Sequence, residues 1–200
     1  MPYQALISLW LRPRAAFSAV MQRKPTNSSV GLYILAMYIT LLDYWLTKNV
    51  PSLLMSIAIV VVPIVSVLVL YLQGAILGVV SRWFDGQADA LACRTALSWG
   101  GVPVTVGAIF GVVGYLVYGQ EMLWLERNST PLHGMVYVIS VVSTVLTFYT
   151  FFTTSIMLGE ANGFSAWRGL AVMLVTLLLI FVVMLVLVML GAAVYVLAHL

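Results

Sequence analysis

The chain has 200 residues, of which 63% are hydrophobic and only 8% charged, with a formal net charge of +3. A water-soluble domain carries roughly a quarter charged residues, so this composition excludes a soluble fold and makes lipid the solvent of most side chains. One cysteine, Cys93, excludes an internal disulfide and a thiolate metal cage, and the small basic excess suits loops beside a membrane better than a nucleic-acid surface.

Residues 1–29 form the longest stretch outside a candidate span and are too short for a core of their own. Within them WLRPRAAFSAVMQRKP (Trp10–Pro25) holds Arg12, Arg14, Arg23 and Lys24, four of the nine Lys and Arg. Tyr3, Leu6, Ile7 and Trp10 fall at i, i+3, i+4 and i+7, one helical face. Pro13 suits the first turn of a second helix, on which Phe17, Val20 and Met21 share a face. Arg12, preceding a proline, disfavours helix and sets a bend. The pattern predicts two short amphipathic helices on the inner leaflet, apolar side towards lipid and cations near the phosphates. It lacks the charged leader of a secretory signal. Such a segment is either a positive-inside anchor or a docking site for a protein partner.

Five apolar blocks follow, at about 30–46, 53–80, 97–118, 135–158 and 169–198, each about the length that crosses a bilayer. They predict an all-α polytopic bundle of five transmembrane helices over residues 30–200. Pro63 interrupts the second block. The fifth has no charge after Arg168; its roughly 30 residues reach about 45 Å against a hydrocarbon core of about 30 Å, so it must tilt or extend beyond the bilayer.

Orientation follows from the cations. With the N-terminus inside, the inner segments hold Arg12, Arg14, Arg23, Lys24, Arg82, Arg94 and Arg168, and the outer loops hold only Lys48 and Arg127. Retention of Lys and Arg in cytoplasmic loops then puts the N-terminus in and the C-terminus out. Trp83, Trp99, Trp124 and Trp167 lie near span ends, where interfacial tryptophans belong.

The fourth block carries Ser140, Ser143, Thr144, Thr147, Thr150 and Thr154 as a stripe at helical spacing. The third offers Gly100, Gly107, Gly111 and Gly114, and the second a Gly74–Gly78 pair. Small residues and hydroxyls are what close helix contacts in lipid use, within a subunit or in a homo-oligomer. Alternatively Ser143, Thr144, Thr147, Thr150 and Thr154, with Gln73 and Ser66, line a polar path or headgroup groove. Asp43 sits at the outer end of the first span as an interfacial acid. The loop SRWFDGQADALACR brings Arg82, Asp85, Asp89 and Arg94, and GEANGFSAWR brings Glu160 and Arg168. Both loops fall on the inner side, placed to pair opposite charges, with Arg94 suited to a partly buried role. Arg12, Arg14, Arg23, Lys24, Arg94, Glu160 and Arg168 are the candidate contacts to a partner or to lipid headgroups.

Enzymatic constellations fail on placement. Ser165 in GFSAW lacks the second glycine of a nucleophile elbow, and His133 and His199 belong to the opposite side, so no Ser–His pair forms. His133, His199, Glu121 and Glu126 have no metal-ligand spacing, and no phosphate-binding loop occurs. Asn128-Ser129-Thr130 is a short, chance-level glycosylation match. No catalytic residue, cofactor or metal is expected.

Three stretches, WLRPRAAFSAVMQRKP, RTALSWGGVPV and GEANGFSAWRGLAV, resemble the Yip family of Ypt/Rab-interacting membrane proteins in order and spacing over most of the chain. They are most similar to its short bacterial inner-membrane branch. The resemblance implies five spans, a cytoplasmic N-terminus and no known catalysis. Eukaryotic members associate with Rab GTPases, but their long cytosolic N-terminal region and DLYGP motif have no counterpart here, so Rab binding is not carried over. The expectation is a non-enzymatic scaffold that meets lipid and a membrane or cytoplasmic protein, not nucleic acid. The alternative is a small transporter, channel or lipid-handling protein using the fourth-span stripe.

Overall fold

A computed structural model of the chain describes residues 8–23, 25–48, 51–119 and 131–198. After a helical turn at 8–11 come α1 (Pro13–Met21), α2 (Thr26–Lys48), α3 (Ser52–Trp83), α4 (Ala90–Gly100), α5 (Val102–Tyr118), α6 (Pro131–Asn162) and α7 (Ala166–Ala198). Five stretches are long and apolar enough to cross a bilayer: Thr26–Leu46, Leu53–Trp83, Ala90–Tyr118, Gly134–Asn162 and Ala166–Val196. The protein is an all-α polytopic membrane bundle.

The two prolines within spans act differently. Pro63 lies inside α3, which continues through it. A proline has no N–H to give the carbonyl four residues back, here that of Ile59, and in lipid that carbonyl needs another donor. The Tyr38 hydroxyl of α2 supplies it, 2.5 Å from the Ile59 oxygen. Pro103 instead accompanies a break in the third span, which consists of α4 and α5 meeting at Gly101. The carbonyl of Gly100 at this break accepts from Thr153 Oγ1 of α6 at 2.8 Å.

The hairpins α3–α4 and α6–α7 end their first helices alike. Past α6, Gly163 adopts φ +71°; Phe164 N–H reaches Gly159 O at 2.9 Å and Gly163 N–H reaches Glu160 O at 3.3 Å. Past α3, Asp85 takes the left-handed position at φ 62°, while Gly86 N–H donates to Ser81 O at 2.9 Å and Asp85 N–H to Arg82 O at 3.2 Å. Both are Schellman closures that satisfy the last carbonyls of a helix. Asp89 then caps α4, its Oδ1 accepting from Ala92 N–H at 2.7 Å.

Helices α6 and α7 pack as one hairpin, α5 lies against α6, and α2 touches α3, α4 and α5. The buried core gathers at the end of the bundle that holds these two loops, from Leu77 and Val80 of α3, Cys93 and Trp99 of α4, Leu158 of α6 and Val172 of α7. Positions 181–192 and 194–196 of α7 are exposed around the whole helix. That half of the fifth span packs on no other described part of the chain.

Leu9, Ala16, Phe17 and Val20 also belong to this core. Helix α1 packs against α4 and α6, Trp10 stacks on Tyr149 with ring centroids 5.7 Å apart, and the Tyr149 hydroxyl donates to Trp10 O at 2.5 Å. The amphipathic face expected to lie on lipid lies on protein instead. Periodicity announces an apolar face but not its partner, and a groove between two helices offers denser contact than acyl chains. Arg12, at the bend, has φ −141° and ψ 63°, outside the helical region, as a pre-proline residue should.

Candidate functional site

The described cations and acids divide into two environments. Arg12, Arg14 and Arg23 are exposed beside α1, Arg82, Asp85 and Asp89 are exposed in the α3–α4 connection, and Glu160 and Arg168 are exposed around the α6–α7 connection. These elements meet at one end of the bundle and form its end face. Lys24 lies outside the described residues.

What joins the two loops is neutral. No ion pair links them among the described residues; Asn162, 4% exposed, does so instead. Its Oδ1 accepts from Ala88 N–H at 3.1 Å and its Nδ2 donates to Leu158 O at 2.8 Å. The same Oδ1 lies so close to Gly86 that a β-carbon there would strike it, which explains why glycine follows Asp85. A charged pair at this depth would have to offset a much larger desolvation cost than an amide, which its hydrogen bonds compensate. Ser18 Oγ on α1 reaches Glu160 Oε1 at 3.4 Å, a long contact that ties α1 to the same corner. Replacing Asn162 by leucine orphans the buried Ala88 N–H and should cost about 2 kcal/mol. Faster amide exchange at residues 84–90 than in wild type is the readout, and unchanged exchange there refutes the joint.

Arg94 stands apart from the end face. It is half-buried, with its guanidinium carbon 3.9 Å from the centre of the Tyr71 ring, a cation–π contact in place of an anionic partner. Its stem crosses Gly74, where any β-carbon would overlap Arg94 Cγ. Gly74 and Gly78 thus admit α4 within the subunit, which answers for this pair whether the packing is internal or between copies.

The hydroxyl stripe of α6 does not form one lining. Ser143 Oγ donates to Gly107 O of α5 at 3.1 Å. Thr154 packs on Gly100, whose built β-carbon would lie 2.5 Å from Thr154 Oγ1. Thr144, Thr147 and Thr150 bond back to the carbonyls of Ser140, Ser143 and Leu146 at 2.8, 2.9 and 3.0 Å, and Thr144 and Thr147 face outward, as does Ser140. Gln73 belongs to a different contact: its Oε1 accepts from Tyr33 of α2 at 3.0 Å. Ser66 is buried. Asp43 lies against α5, its Oδ1 2.6 Å from where a β-carbon on Gly111 would sit.

Three residues that matter here escaped the sequence reading. Thr153 sits one position off the stripe and makes the contact to Gly100. Tyr149 anchors Trp10. Asn162 was passed over between Glu160 and Arg168, although Asn-Gly is itself a turn signal. Glu121, Glu126 and His199 lie outside the described residues, as do Tyr3, Leu6, Ile7, Trp124, Arg127 and the Asn128-Ser129-Thr130 motif, and the side chain of His133 is likewise undescribed. Among the described residues no three of His, Cys, Asp and Glu converge.

The chain is thus a five-span bundle whose amphipathic helix α1 docks on the third and fourth spans. The Yip1 domain matches residues 7–189. The chain belongs to the Yip1 domain family. Because the match begins before α1, the docked helix is part of the Yip1 domain and not an appendage to it. The match also takes in both hairpins and the end face they build. No curated protein matches the chain, and no solved structure does.

Proposed function

We propose that this Yip1-domain protein is a non-enzymatic membrane scaffold whose charged end face captures a membrane-proximal protein. In this reading the end face is cytoplasmic, the C-terminus lies across the membrane, and the membrane is the bacterial inner membrane. The observation that carries the reading is the docking of α1: Phe17 and Val20 are buried in the core while Arg12, Arg14 and Arg23 remain exposed. The apolar side is used for folding, and the cationic side is held at the corner where Ser18 of α1 reaches Glu160. A mere electrostatic anchor has no need of such a fixed arrangement.

The polar path along α6 has less support. Ser143 and Thr154, its inward members, are engaged with the α5 and α4 backbones, and Gln73 serves the α2–α3 contact.

Removing residues 1–24 would strip the core, so charge reversal is the cleaner test. The triple change Arg12→Glu, Arg23→Glu, Arg168→Glu alters exposed side chains only. It should leave the unfolding midpoint unchanged and lower the yield of site-specific crosslinks to a partner about tenfold, since exposed charges act mainly on encounter. Equal yields from both proteins would defeat the scaffold reading. Topology has its own test: a reporter active only in the cytoplasm should be active when fused to the N-terminus and silent at the C-terminus, and the reverse pattern refutes the orientation.

A further inference from the structure

A groove of about 490 Å³ opens beside the end face, between α1, the last turns of α6 and the first turns of α7. Its apolar walls include Phe151, Phe152, Ile156 and Leu170, and Arg14 and Trp167 stand beside them. The volume falls in the range of small-molecule sites, about 300–1,000 Å³. Ser155 also lines it, but its Oγ donates to Phe151 O at 2.6 Å, so Arg14 is the charged group left to meet a ligand, with the Trp167 indole N–H as a second donor. Arg14 is exposed and no described side chain accepts from it.

The groove lies against two spanning helices, α6 and α7. Trp167 is 80% exposed at the second residue of α7, where an interfacial tryptophan belongs. Phe152 lies ten positions before the end of α6, about 15 Å further along the axis, well inside the hydrocarbon. A cation and an indole at the headgroup level with aromatic and aliphatic walls beneath are complementary to one kind of molecule. Helix α1 carries Arg14 and no acid, and the exposed Arg12 precedes it, so the α1 side of the groove favours net negative charge.

We propose that this groove is a binding site for one anionic phospholipid of the leaflet at this end of the bundle, its phosphate on the Arg14 guanidinium and an acyl chain along Phe151, Phe152 and Leu170. An arginine fork suits a phosphate geometrically, and the bilayer supplies the ligand. The site goes beyond the scaffold reading and does not rest on it, since it requires neither a protein partner nor a particular orientation.

The test is native mass spectrometry of the full-length protein titrated with phosphatidylglycerol or phosphatidylcholine of identical chains. Wild type should retain phosphatidylglycerol at about fivefold lower concentration, the effect of one basic residue near a headgroup. Arg14→Gln should bring the two lipids within twofold, Arg14→Lys should keep most of the preference, and Arg82→Gln, outside the groove, should keep all of it. Ile156→Trp, which fills the apolar part, should lower retention of both lipids. The proposal is overturned if wild type shows no preference, if R14Q and R82Q behave alike, or if I156W retains lipid as wild type does. It is also overturned if soluble glycerol phosphate displaces the lipid at equal concentration, because the site then reads a phosphate and not a lipid.

Discussion

Replacing Gly169 by alanine is expected to destabilise the bundle by about 3 kcal/mol, the upper end of what overpacking costs. A β-carbon built on Gly169 overlaps the carbonyl oxygen of Ser155 and comes within 3.0 Å of the Gly159 amide nitrogen. Both are backbone atoms, so no side chain can turn aside. A β-carbon built on Gly159 also crowds the entry to α7, 3.0 Å from Phe164 O and 3.2 Å from Ala166 Cα. Relief therefore means parting α6 from α7, which also moves the Asn162 joint and the groove lined by Ser155 and Leu170. The measurement is the unfolding midpoint of the detergent-purified protein. Gly191, with nothing within 4 Å of its built β-carbon, is the control. Gly191→Ala should be neutral or slightly stabilising, as alanine favours helix by about 1 kcal/mol over glycine. Equal midpoints for G169A and G191A would show that the close approach at Gly169 does not hold the hairpin together.

Phe17→Ala is expected to remove a comparable amount, about 3 kcal/mol, at the low end for loss of a buried phenylalanine. Phe17 is 4% exposed within the core cluster. In lipid the released surface still finds an apolar solvent, so the loss comes mainly from the cavity and broken packing and less from transfer to water. The consequence reaches beyond stability. With its anchor gone α1 should leave α4 and α6, the Trp10–Tyr149 stack should open, and the Arg14 side of the groove should lose its position. Amide exchange at residues 13–21 should rise at least tenfold while the α6–α7 hairpin keeps its protection. Wild-type exchange over that segment would mean that α1 is held by lipid, as periodicity alone suggests, and not by the bundle.

The two substitutions mark the limits of what can be read in one dimension. The apolar blocks are legible because the bilayer imposes a length on each of them separately. The face of α1 is legible because helical spacing is local. Whether that face meets lipid or protein is not, since both are apolar and leave the same pattern of residues. The α6 stripe shows a second limit. Thr153 and Thr154 differ by one position, about 100° around a helix, and only the approach of α4 and α5 decides that Thr153 reaches Gly100 O. Pairing opposite charges across the loops was a reasonable expectation from composition. The structure gives that place to Asn162, because the joint is buried and an amide satisfies it at lower desolvation cost.

Taken alone, the sequence determined that this protein lives in a membrane, crosses it with five helices and carries most of its Lys and Arg before the first span and in alternate connections, since each property depends on residue type and local spacing. Tertiary structure decided that α1 is a core element, that Gly74, Gly100, Gly107 and Gly169 serve particular neighbours, that Arg94 rests on Tyr71, and that Arg14 overlooks an apolar groove. Those outcomes depend on which faces of distant helices come into contact. In an apolar solvent the choice is made by shape and by a few hydrogen bonds, neither of which hydrophobicity along the chain records.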